Sequence, residues 1–147
     1  MQIADVEPCK CCKSIKKSLF YIIMIQIGLE TPGIHYLEIV KKMLKNPLSI
    51  GMIGGRPSSA LYFVGVHQDE FLYLDPHYVQ NATHRSNIDH LLNTYFCHNI
   101  KTMKTQNISP SLALGFYFRN PFEAKSFYYF LQETRYQCIH KHFGKKL

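Results

Sequence analysis

Acidic residues are scarce in this 147-residue chain: 10 Asp and Glu stand against 17 Lys and Arg, a formal net charge of +7. An excess of that size raises the question of nucleic acid, and its location answers it. Residues 1–17 carry four lysines against two acids, residues 134–147 carry four basic groups with no acid, and the stretch between holds nine basic groups and eight acidic ones. The basicity lies in the two ends. Phe and Tyr fall at alternating or helical spacings that mark a core, not along a basic stripe where bases would stack, so no nucleic-acid partner is expected.

Long apolar runs are lacking too. The longest, Leu19 to Ile27 with Gln26 inside it, falls well short of the roughly 20 residues that a membrane-spanning helix needs. It reads as a buried strand, and a soluble chain with no transmembrane segment is expected. Five cysteines, an odd number unevenly spaced, make no disulfide framework, and no n-region, apolar h-region and cleavage site follow one another at the start. A reducing, cytoplasmic setting follows. No repeat and no low-complexity tract is visible, which excludes a solenoid. At 46% hydrophobic the chain can bury one modest core, enough for a single domain or part of one.

What is present reads as β-α-β-β, a long connection, then β-α. Phe20 to Ile25 is a continuous apolar run, the pattern of a strand covered on both faces. Thr31-Pro32 offers a cap and a first-turn proline for a helix with Ile34, Leu37, Val40 (or Lys41 by its stem) and Leu44 on one stripe, stopped by Asn46-Pro47. Ala60 to Val66 and Glu70 to Leu74 flank His67-Gln68-Asp69, a short loop that pairs the two strands antiparallel. The polar 78–111 stretch reads as connection. Leu112 to Phe118 makes a further strand, and Asn120-Pro121 caps a helix with Glu123 placed for a capping box and Ala124, Phe127, Tyr128 and Leu131 as its buried stripe.

Chemistry concentrates at the end of the second hairpin strand, in Asp75-Pro76-His77. Residues two apart on a strand share a face, and the proline between them removes an amide donor, so the ladder ends there with a carboxylate beside an imidazole. A neutral imidazole takes a proton near pH 7, and a neighbouring carboxylate selects its tautomer and stabilises the imidazolium. That is two-thirds of a hydrolytic triad; the same tripeptide also serves as an ordinary turn. The antiparallel return brings the pair level with Gly54-Gly55-Arg56-Pro57-Ser58-Ser59, whose glycines permit positive φ and close approach of a substrate backbone, or simply make a turn between elements.

In order and spacing, Gly54-Gly55-Arg56-Pro57, the Ser59-Ala60-Leu61-Tyr62-Phe63 strand and Leu74-Asp75-Pro76-His77 resemble the autophagy-type cysteine peptidases, the autophagins. The resemblance extends from about Ser18 to Glu133, through the apolar strand ending in Gly28-Leu29, the Tyr36 to Leu44 helix and the Pro110-Ser111 step into the late strand; the 78–108 stretch aligns loosely. It implies an α+β fold, a mainly antiparallel sheet with packed helices: the β-rich half of a papain-like cysteine protease domain. It implies Asp75 as orienter and His77 as general base then acid, with Gly54 to Ser59 as a substrate-entrance loop. The implied partner is a ubiquitin-like autophagy modifier, free or lipid-conjugated, cleaved after a C-terminal glycine; no cofactor is implied.

The nucleophile of that family is a cysteine in a Gly-Trp-Gly-Cys-Met-x-Arg segment at the start of a helix, and here nothing matches it: there is no Trp at all. Cys9, Cys11 and Cys12 lie in a short basic lead, and Cys97 and Cys138 are distant. The reading is therefore an unmatched lead at 1–17, a partial peptidase domain at 18–133 and a basic tail at 134–147, with no nucleophile in this chain and no activity by itself. A non-catalytic module that binds the modifier is the alternative. Zinc would need four ligands at suitable spacing, and neither the cysteines nor His35, His67, His84, His90, His98, His140 and His142 supply them, so no metal is expected.

Overall fold

The computed structural model describes residues 18–56, 58–79, 96–97 and 99–143, with side chains as far as Thr134. The lead at 1–17, Pro57, residues 80–95 with His84 and His90, His98, residues 144–147 and the side chains of His140 and His142 lie outside the described residues.

Among the described residues six strands form one antiparallel sheet in the order β1-β6-β2-β3-β4-β5. The strands are β1 (Leu19–Gln26), β2 (Ser49–Arg56), β3 (Ser59–His67), β4 (Glu70–Leu74), β5 (Lys101–Lys104) and β6 (Ser111–Phe118), with helices α1 (Ile34–Leu44) and α2 (Pro121–Phe143). The architecture is α+β and fits the β half of a papain-like fold. Among the described residues no helix is long and apolar enough to cross a membrane.

One face of the sheet carries the core. Met52, Phe63, Leu114 and Phe116 are fully buried there, and α1 adds Leu37, Val40, Met43 and Leu44. Phe127 of α2 packs its ring 4.2 Å from that of Phe116, close enough to interlock helix and sheet. Lys41 ties α1 to the β3–β4 turn by bridging Glu38 and Asp69.

The other face is open. Register places Met24, Ala113, Ile53, Tyr62 and Leu74 in one row across β1, β6, β2, β3 and β4, and Met24 is 84% and Ile53 56% exposed. The continuous apolar run of β1 had implied cover on both faces; exposure instead alternates along it, because both helices lie on one side. Gly51, at a bulge in β2 with φ +123°, lets Tyr62 lie across the strand and donate its hydroxyl to the Ile50 carbonyl. A Cβ there would meet the Tyr62 hydroxyl at 2.6 Å.

Three local expectations are corrected. Thr31-Pro32 does not open α1: the Gly33 N–H donates to the Ile27 carbonyl (2.8 Å), closing a loop, and Gly33 is the N-cap. Ile34 is consequently 67% exposed, and Met43 joins the stripe. The connection after residue 78 also contains a strand, β5, whose single buried side chain is Met103. At α2, Asn120 accepts from the Glu123 N–H (3.0 Å), but Glu123 reaches back to the Arg119 N–H (2.7 Å), one residue earlier than a capping box requires.

Candidate active site

Strand β4 ends at Leu74, and the chain turns immediately. Asp75 Oδ1 accepts from both the His77 backbone N–H (3.1 Å) and the His77 ring at Nδ1 (2.8 Å). Proline at position 76 contributes no donor to compete for that oxygen. Imidazole and carboxylate are thus joined within a single three-residue turn. With Nδ1 engaged, Nε2 is the nitrogen free to exchange a proton with a reacting group.

The second carboxylate oxygen faces the neighbouring strand. Lys101 Nζ, from β5, stands 3.4 Å from Asp75 Oδ2 and donates to the Tyr78 hydroxyl at 2.6 Å, lying 4.5 Å from the centre of that ring. The His77 ring holds the Asp75 carboxyl below the usual aspartate range; the His77 backbone N–H and Lys101 act the same way against partial desolvation. Lys101 in turn is pushed up, first by Tyr78 and then by Asp75. Sequence reasoning missed Lys101 and Tyr78, since a charge arriving from another strand leaves no spacing signal beside Asp75.

His77 opens on a groove of about 870 Å³. Gly54, Gly55, Arg56, Ser58 and Ser59 line it on one side, and Met24, Ile53 and Ala113 carry it onto the open sheet face. The structure therefore brings the described residues of the entrance segment and His77 to one groove, while Asp75 sits behind the imidazole. Pro57 lies outside the described residues. The segment is also more regular than a loop, with Gly54 to Arg56 in β2 and Ser59 in β3.

Why glycine stands at 54 and 55 is explained by the hairpin itself. A Cβ on Gly54 would come 2.5 Å from the Leu112 side chain, and one on Gly55 (φ +153°) would come 2.0 Å from the Ser59 carbonyl oxygen. Ser58 completes the turn at φ +64°. The Gly55 carbonyl accepts from the Ser109 N–H at 2.6 Å, fixing the rim of the groove.

Among the described residues no thiol reaches the imidazole. Cys97 is exposed and its thiol donates to the Asn99 carbonyl at 3.2 Å. The Cys9, Cys11 and Cys12 cluster and the Cys138 side chain lie outside the described residues. No group of three or more metal-ligating side chains occurs among the described ones.

Comparison with known proteins decides the family. The model of the Peptidase C54 catalytic domain matches residues 2–130. The chain belongs to the Peptidase C54 family. It is 36% identical over 117 residues to the Cysteine protease ATG4C of Xenopus tropicalis, which covers 80% of this chain and 26% of that protein. Against the Cysteine protease atg4 of Dictyostelium discoideum it is 38% identical over 104 residues, 71% of this chain and 14% of the relative. The human Cysteine protease ATG4C gives 36% over 104 residues, 71% of this chain and 23% of the relative. This C54 chain thus spans between 14% and 26% of the length of these curated relatives.

Proposed function

We propose that this chain supplies the acid–base part of a cysteine peptidase that cleaves a ubiquitin-like autophagy modifier after its C-terminal glycine, in the cytoplasm, from both the extended precursor and the lipid conjugate. The single observation behind it is the Asp75–His77 hydrogen bond of 2.8 Å at the mouth of a groove that runs past Gly54 and Gly55. Membership of a cysteine peptidase family supports it.

The chemistry assigns each group a step. His77 Nε2 takes the proton of a cysteine thiol, and Asp75 stabilises the imidazolium that results. The thiolate attacks the carbonyl carbon of the glycine, the C–N bond breaks, and His77 returns its proton to the leaving amine. Water, deprotonated by His77, then hydrolyses the thioester and frees the thiol. Arg56 and the serines at 58 and 59 flank the extended tail as it lies in the groove.

On this reading the thiol is carried by other polypeptide, and the exposed apolar side chains of the open face support a packing surface for it. A sheet buries both faces when it is the middle layer of a domain, and the apolar row from Met24 to Leu74 leads directly to the groove at His77. By itself the chain is inactive. The division into a lead at 1–17, a peptidase portion at 18–133 and a tail at 134–147 belongs to the same proposal, although the family match itself runs over residues 2–130 and so takes in most of that lead.

The second reading, a module that binds the modifier without cleaving it, is favoured by the exposed apolar face. Incubating the 147-residue chain and an extended modifier with and without a complementary, thiol-bearing peptidase part separates the two: cleavage that needs both parts supports the first, and binding with no cleavage in either mixture supports the second. Cleavage by the chain alone would show the nucleophile to be one of Cys9, Cys11, Cys12, Cys97 or Cys138.

A further inference from the structure

The turn that holds the catalytic pair lies beyond the last paired residue of β4, and its two internal hydrogen bonds fasten His77 only to Asp75. Something must fasten Asp75 to the body of the domain. Among the described residues the polar contact that does so comes from β5. Lys101 pairs with Tyr73, the penultimate residue of β4, so its side chain starts one step short of the turn and reaches forward along the edge of the sheet. There its ammonium meets Asp75 Oδ2 at 3.4 Å and the Tyr78 hydroxyl at 2.6 Å, one partner on each side of His77 in the chain.

We propose that Lys101 is a positioning residue: by holding Asp75 Oδ2 and Tyr78 together it fixes the carboxylate plane, and with it the imidazole of His77, against the β5 edge. The role rests on the peptidase reading for its purpose, though not for its geometry. An exposed ion pair of this kind adds little to global stability, so its consequence is orientation. A carboxylate with one free oxygen can rotate and present either oxygen, or neither, to a ring nitrogen. Capturing Oδ2 leaves Oδ1 as the acceptor for His77. The position of Tyr78 under the same ammonium, 4.5 Å from ring centre to Nζ, closes the turn on its far side. Sequence gives no hint of this, since residues 75 and 101 are joined only through strand pairing.

The test uses the 147-residue chain with Lys101→Met, Lys101→Arg and, as a control on the same strand, Lys104→Met. NMR follows the titration of the Asp75 side-chain carboxyl and the side-chain couplings that report whether His77 holds one rotamer. With Lys101→Met the Asp75 midpoint moves upward toward the ordinary aspartate range and the His77 couplings average, Lys101→Arg restores both, and Lys104→Met changes neither. An Asp75 midpoint that is the same in wild type and Lys101→Met, or His77 couplings that do not change, overturns the proposal. Both readouts are taken on the isolated chain, so a failed cleavage assay strikes the peptidase reading and leaves this result standing.

Discussion

Asp75 Oδ1 accepts two hydrogen bonds from His77, one from its backbone and one from its ring, so the carboxylate and the imidazole are held by the same turn. Removing the charge while keeping the shape isolates that relationship. In a peptidase completed by a nucleophile-bearing part, Asp75→Asn lowers kcat by about 10⁴-fold with the fold intact, since an amide presents a donor to Nδ1 and selects the wrong tautomer. Steady-state cleavage of an extended modifier measures it.

Gly55 is required by the hairpin before any substrate arrives. Gly55→Ala forces a Cβ onto the Ser59 carbonyl at a positive φ, and the expected loss is at least about 1 kcal/mol of stability. Urea unfolding followed by circular dichroism checks it; a midpoint equal to wild type would show that the turn relaxes freely.

The open face behaves as surface in this chain. Met24→Ser with Ile53→Ser, at positions 84% and 56% exposed, changes folding stability by no more than about 0.5 kcal/mol each. The same pair lowers binding of a hydrophobic dye and weakens association with a complementary peptidase part. A large loss of stability would mean that the face is already covered.

Stability depends on acid through Glu123, whose carboxyl is held low chiefly by the Arg119 backbone N–H, with the Arg119 guanidinium adding to it against partial desolvation. Its folded pKa lies below its unfolded one, so its stabilisation is complete above the unfolded value and disappears as pH falls through the folded one. Wild type therefore has a higher Tm than Glu123→Gln at pH 7, and the gap closes below about pH 4. Thermal melts across that range follow it.

Much of this was legible in the chain because the signals are local. His67-Gln68-Asp69 between alternating strands fixes the β3–β4 hairpin, and Gln68 indeed turns at φ +51°. The Leu112 to Phe118 alternation gives β6, and Phe127 falls on the expected face of α2. Thr31-Pro32 misled because a backbone bond between Gly33 and Ile27, invisible in side-chain chemistry, sets where α1 begins. β5 escaped because four residues with one buried side chain carry no readable period. The Asp75–His77 pairing was readable from their two-residue spacing, although a turn just past the end of β4, and not alternation along a strand, brings them together; the lysine facing them arrives through pairing of β4 with β5.

If His77 works on a thiol carried by other polypeptide, as proposed, cleavage needs both His77 and that second part. The most direct test mixes the 147-residue chain with the part of the Xenopus tropicalis cysteine protease that this chain does not match, and measures cleavage of a modifier extended past its glycine. Cleavage that requires both parts and falls by about 10²–10⁴-fold with His77→Ala is the predicted result. Cleavage unaffected by His77→Ala would contradict it.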